Sequence, residues 1–154
     1  MSLVILAFLI GVVAGLRALT PLAAISWAAR LGWLDLHGTW LSFFGVAASP
    51  YIFTVLAIAE LIADKLPATP SRKAPPSFIV RIVSGGLCGA AIGIAGQALI
   101  GGLVAGALGA VAGTLGGYEL RARLVKAIGG NDLPIALLED AIAIIAAIWI
   151  VIRF

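Results

Sequence analysis

The chain has 154 residues, of which 62% are hydrophobic and 11% charged, with a formal net charge of +3; its mean hydropathy is +1.17. Soluble domains are typically about 45–50% apolar and about 25% charged, so an ordinary water-soluble fold is excluded and one polytopic, all-α membrane domain is expected over residues 1–154. The basic residues lie scattered near predicted helix ends, with no basic run interleaved with aromatics; this excludes nucleic acid as the partner and leaves the lipid bilayer and membrane orientation as the meaning of the charge.

About five spans are predicted, with two amphipathic segments at the membrane surface. The first span is residues 3–20, ended or kinked by Pro21. No positive n-region and no small-x-small cleavage site precede Arg17, so this segment is expected to remain as a span. Residues 22–34 carry Trp27, Arg30 and Trp33. They fit either a helix lying at the surface or an extension of the first span past a kink.

A loop through His37, Gly38 and Trp40 follows, in which Phe43 and Phe44 are expected to dip into the interface. Span two is residues 50–66, and a Pro-rich basic linker follows with Pro67, Pro70, Arg72, Lys73, Pro75 and Pro76. Span three is residues 78–99, joined by a Gly101-Gly102 connection to span four, residues 103–118. The second amphipathic segment, residues 119–128, carries Arg121, Arg123 and Lys126. A turn at Gly129, Gly130, Asn131 and Asp132 leads to span five, residues 133–152.

Five spans place the N-terminus, the linker and residues 119–132 on one side, together with Lys65, Arg72, Lys73, Arg121, Arg123 and Lys126; the other side holds only Arg30 and Arg153. Lys/Arg excess marks the cytoplasmic side, so the N-terminus is expected inside and the C-terminus outside. The layout also reads as an inverted repeat, with residues 1–66 as one unit, 78–99 as a linking span and 100–154 as the second unit.

Arg17 lies inside the first predicted span, where a charge is costly unless compensated. Glu60 comes out ~15 Å deep in span two, near mid-membrane, and within reach of Arg17. Asp64 follows on the same helical face. Glu139 and Asp140 lie in span five at a depth that Arg81 reaches; being adjacent, they point about 100° apart and are not expected to share a partner. Arg17, Glu60, Asp64, Arg81, Glu139 and Asp140, with Thr20 beside the break at Pro21, are the candidate ion or solute pathway. The plainer alternative is that these charges form buried pairs that fix helix register.

Gly85, Gly89 and Gly93 recur every four residues, as do Gly109, Gly113 and Gly117; Gly102 and Gly106 add a pair. Such spacing lets helices approach backbone to backbone. Spans three and four are expected to form an internal hairpin, with Ser84, Gln97 and Thr114 as interhelical hydrogen-bonding groups. Cys88 and His37 are the only residues of their kinds, so no intrachain disulfide is possible and neither a metal nor a cofactor is expected.

Gly15-Leu16-Arg17-Ala18-Leu19-Thr20-Pro21, Asp64-Lys65-Leu66-Pro67 with Pro70-Ser71-Arg72, Arg81 through Gly85-Gly86, and Leu138-Glu139-Asp140 together resemble a bacterial family known as domain of unknown function 4126. The resemblance spans nearly the whole chain. It implies a small polytopic inner-membrane protein and no particular activity.

The expected function is a small transporter or channel for an ion or small solute, with proton coupling through the carboxylates and a homo-oligomer to complete an aqueous path. The alternative is a non-catalytic scaffold that binds lipid or a partner protein. An enzyme is not expected: there is no Cys/His pair, metal-ligand cluster or Gly-x-Ser-x-Gly elbow.

Overall fold

The computed structural model describes residues 2–66 and 74–154. They form α1 (Leu3–Leu16), α2 (Leu19–Arg30), a 3-10 turn at Ser42–Gly45, α3 (Ser49–Ala63), α4 (Pro75–Ala95), α5 (Leu99–Ala127) and α6 (Asp132–Val151). Each segment expected to span the membrane corresponds to a helix. Three of them, α4, α5 and α6, are long and apolar enough to cross a bilayer, and α1 and α3 are shorter apolar helices. The linker at 67–73, with Arg72 and Lys73, lies outside the described residues.

The centre is a three-helix core built on glycine. A Cβ on Gly11 would stand 2.1 Å from the Gly106 carbonyl oxygen, and one on Gly106 would stand 2.1 Å from that of Gly85. Gly89 meets Gly102, Gly109 meets Phe8 and Gly113 meets Val12 at similar range. No side chain fits in these gaps, so α1, α4 and α5 touch main chain to main chain. Lipid competes for apolar side chains, and such close van der Waals packing is what holds helices together in a bilayer. The expected α4–α5 hairpin is therefore present, with α1 added to it by Gly11 and Gly15. Gly117 is only half-buried.

These pairings fix directions. Residues 8 and 12 of α1 match 109 and 113 of α5, so α1 and α5 run parallel. An inverted repeat that pairs span one with span four needs them antiparallel, and residues 1–66 hold three helices where residues 100–154 hold two. The expected repeat units are not seen.

The chain does not kink at Pro21. It breaks four residues earlier, at Arg17, whose extended backbone (φ −141°, ψ 114°) separates α1 from α2. Pro21 falls in the first turn of α2, where a missing N–H costs nothing. Neither reading of residues 22–34 holds, because α2 doubles back instead of lying at the surface or extending α1. It runs antiparallel to α3, with the Ala18 and Leu19 amides at Glu60 and Trp27 Nε1 donating to Thr54 Oγ1. The six helices thus alternate in direction. Leu3 lies beside Gly96 at the α4–α5 turn, and Leu3 and Phe154 pack on one apolar cluster. Both termini therefore sit at one end of the bundle, in contrast to the opposite sides expected.

Two further boundaries shift. Residues 119–128 continue α5 without interruption, because nothing in them breaks a helix; they read as amphipathic where α5 emerges from the apolar layer. The α4–α5 turn is Gly96-Gln97-Ala98 rather than Gly101-Gly102. Gln97 takes φ 56° and the Ala98 amide donates to Gly93 O at 2.8 Å, a Schellman closure with glutamine in the glycine position.

The end holding the termini carries exposed Trp33, Trp40, Tyr51 and Trp149, an arrangement suited to a membrane–water interface. Phe43 faces outward there, whereas Phe44 is fully buried against Phe53. That end also holds Arg30, Asp35 and Arg153; the opposite end holds the other charges of the described residues.

Candidate functional site

Breaking a helix inside an apolar bundle leaves carbonyls of α1 and amides of α2 without intrahelical partners. In this protein ionisable side chains supply them. The Glu60 carboxylate caps α2, accepting from the Ala18 and Leu19 amides at 2.8 Å each, a favourable place for an anion. Arg81 Nη1 donates to Gly15 O at 2.7 Å, Arg17 Nη1 donates to Leu16 O at 2.8 Å, and the Ser84 hydroxyl donates to Ala18 O.

Arg17, at the break, is fully buried. Nε donates to Asp140 Oδ1 at 2.7 Å, Nη1 to Glu139 Oε1 at 2.8 Å and Nη2 to Asp64 Oδ2 at 2.8 Å. One guanidinium therefore ties α1 to α3 and α6. Glu139 and Asp140 do share a partner, because a planar fork with donors on two edges reaches both despite their divergence along the helix.

Around this centre lies a second ring of cations. Lys65 Nζ pairs with Asp140. Arg121 Nη1 donates to Asp64 Oδ2 at 3.1 Å and lies 3.8 Å from Glu139 Oε1, while its Nε and Nη2 grip Asp132 at 2.9 and 2.7 Å. Arg81 Nη2 stands 4.0 Å from Glu60 Oε1. Among the described residues, Arg17, Lys65, Arg81 and Arg121 thus face Glu60, Asp64, Glu139 and Asp140, four charges against four, with Asp132 at the exposed rim. Burial of unlike charges in equal number avoids a net buried charge.

Two expected partnerships are exchanged. Glu60 meets the α2 amides and Arg81 instead of Arg17, and Arg81 meets Glu60 and Gly15 instead of the α6 carboxylates. Thr20 does not join the network; its buried hydroxyl has no hydrogen-bond partner among the described residues.

The network is also not at mid-depth. The α1–α5 contacts run at offsets from 95 (Gly11–Gly106 and Gly15–Ala110) to 101 (Phe8–Gly109 and Val12–Gly113), which puts Arg17 level with residues 112–118. From Leu99 to that level is ~20–28 Å at the usual helical rise, two thirds or more of a hydrocarbon thickness of about 30 Å. The charges therefore lie near one face of the apolar layer, where burial costs less than at its centre.

Sequence reasoning assigned Lys65 and Arg121 to orientation alone and missed them as members of the site. A signal was present for Arg121: it continues the four-residue spacing of Gly109, Gly113 and Gly117, as Arg81 precedes Gly85, Gly89 and Gly93. Each glycine stripe faces the three-helix core and ends at the charged end in an arginine.

A cleft of about 300 Å³ adjoins the network, lined by Ala18, Leu19, Glu60, Pro76, Ser77, Val80 and Arg81. Among the described residues no His, Cys, Asp and Glu group is arranged to hold a metal ion.

The sequence profile of the family described as Domain of unknown function (DUF4126) matches residues 4–153. Nearly the whole chain is covered, and the protein belongs to that family. No curated protein and no solved structure matches it.

Proposed function

We propose that this member of the DUF4126 family is a small membrane transporter or channel for an ion or small solute, with the charge network at the α1–α2 break as its closed gate. The observation that carries this reading is Arg17, fully buried and held at once by Asp64 of α3 and by Glu139 and Asp140 of α6. Ionisable groups inside a membrane bundle mark ion pathways and proton relays more often than not, and interrupted helices are where transporters hold ions and solutes. A proton or cation taken up by one of these carboxylates removes a partner of Arg17 and loosens α3 and α6 from α1. Neutralising Glu60 would likewise release the α2 amides toward the cleft that Glu60 and Arg81 line.

The charged end belongs in the cytoplasm by its Lys/Arg excess, in a bacterial inner membrane, with both termini outside. The small interior calls for a second copy to complete an aqueous path. The same sealing of Arg17 favours a second reading, a non-catalytic scaffold in which the network only locks helix register. Enzymatic activity is not part of either reading.

Reconstitution into liposomes with an internal pH-sensitive dye separates the two. Transport predicts proton or ion flux above protein-free liposomes, raised about tenfold or more by Glu60→Gln, which holds residue 60 in the neutral, released form. A folded wild-type protein that moves neither protons, alkali cations nor inorganic anions supports the scaffold.

A further inference from the structure

A second cavity, of about 260 Å³, lies between α2, α3 and α6. Its lining includes Thr20, Trp27, Thr54, Ala57, Ile144 and Ile148, and no charged side chain. Ile148 and Ile58 at its margin are half-exposed, so its mouth opens on the apolar surface of the bundle. Thr54 is already engaged, accepting from Trp27 Nε1 at 2.9 Å and donating to Pro50 O at 2.6 Å.

Thr20 is different. It is buried and lines the cavity. The oxygen itself is sealed off, so an occupant pairs with it only once the side chain turns about χ1 toward the cavity. As it stands, the hydroxyl is unpartnered among the described residues. The cause lies in the chain break. A threonine in a continuous helix bonds to the carbonyl four residues back. For Thr20 that residue is Leu16, across the extended Arg17, and the Leu16 carbonyl accepts from Arg17 instead. A buried hydroxyl left unpaired is costly, and a molecule that pairs it recovers that cost.

We propose that this cavity binds a small amphiphile drawn from the bilayer, with an aromatic or branched hydrocarbon body and a single hydroxyl or carbonyl that hydrogen-bonds Thr20. The apolar lining excludes ions. A cavity of about 150 Å³ holds benzene, so this one accommodates a monocyclic body of about ten heavy atoms beside the Trp27 ring. Water is a poor occupant, because it needs two to four polar partners and Thr54 is committed elsewhere. A ligand here would touch α2, α3 and α6 one to two turns from Arg17, Asp64 and Asp140. Binding itself is independent of whether the protein transports anything.

The test uses the purified full chain in nanodiscs, with protein-free nanodiscs correcting for partition into lipid. Equilibrium dialysis compares para-propylphenol with para-propyltoluene, which has the same number of heavy atoms and no hydroxyl. Saturable binding is expected, with the phenol favoured about threefold to tenfold, the range one hydrogen bond supplies. Thr20→Val keeps the shape and should abolish the preference; Ala57→Leu fills the cavity and should weaken both probes tenfold or more. Circular dichroism verifies that each variant is folded, and Thr20→Val alone suffices if Ala57→Leu is not. Absence of saturable binding overturns the proposal. So does equal affinity for the two probes, which would make the cavity a slot for lipid acyl chains, and so does a phenol preference that survives Thr20→Val.

Discussion

Gly106 is one of the positions where the packing of the bundle is least forgiving. A Cβ there would stand 2.1 Å from the Gly85 carbonyl oxygen and 2.9 Å from the Gly89 Cα, whereas real Cβ contacts essentially never fall below 3.0 Å. Relief requires moving α4 outward by at least 0.9 Å (3.0 − 2.1). The obstacle is helix backbone, so no side-chain rotation helps. A shift of that size along the α4–α5 seam also opens the neighbouring contacts at Gly89–Gly102 and Gly93–Ala98. Overpacking a tight core costs about 1–3 kcal/mol and occasionally more; with rigid backbone on both sides, Gly106→Ala should lose about 3 kcal/mol or more. Gly116 is the control: it lies in the same helix, and an added Cβ meets nothing within 4 Å. There alanine should gain about 0.5–1 kcal/mol from helix propensity alone. Reversible unfolding in mixed micelles, followed by circular dichroism, measures both. Stabilities of the two variants within about 1 kcal/mol of each other would refute a main-chain-to-main-chain core.

Three further outcomes follow from the same geometry. Arg17→Met should lose about 3 kcal/mol in that unfolding assay, the lower end for stranding buried charges, because Lys65 and Arg121 remain to the carboxylates; a loss below about 1 kcal/mol would show that Arg17 does not hold the helices. Gln97→Gly should stabilise the α4–α5 turn by about 1 kcal/mol, since glutamine there occupies a left-handed conformation, and unchanged stability would count against the turn as described. Reporters fused separately to each terminus should report the same side of the membrane, as both ends lie together; opposite sides would contradict the alternating six-helix path.

Composition made the helical membrane class legible, and hydropathy located the five apolar helices, because an apolar layer imposes both. The residues of the network were legible too: Arg17, Glu60, Asp64, Arg81, Glu139 and Asp140 are charges in apolar segments, and all gather at one end. Their pairing was not, because depth counted along a helix depends on the direction in which the helix runs. The break at Arg17 escaped notice for a related reason. Pro21 is the visible helix breaker in that stretch, yet proline is at ease in a first turn, while the true break is held by tertiary contacts to Arg17, Arg81 and Glu60. Once α1 is known to end at Leu16, α2 can return along α3 and α6, and the parity of every later helix changes. The glycines were recognisable by spacing in α4 and α5, but Gly11 and Gly15 stand apart from those runs and reveal their role only where α1 crosses Gly106 and Ala110.

The central claim is that the Arg17 network is a gate and not merely a lock. Its most direct test is flux through liposomes containing the double variant Arg17→Gln/Asp140→Asn, which removes one cation and one carboxylate together and so leaves the buried charge balanced. A protein that keeps wild-type helicity but whose flux differs from wild type tenfold or more is the predicted result. A folded double variant with wild-type flux would contradict it.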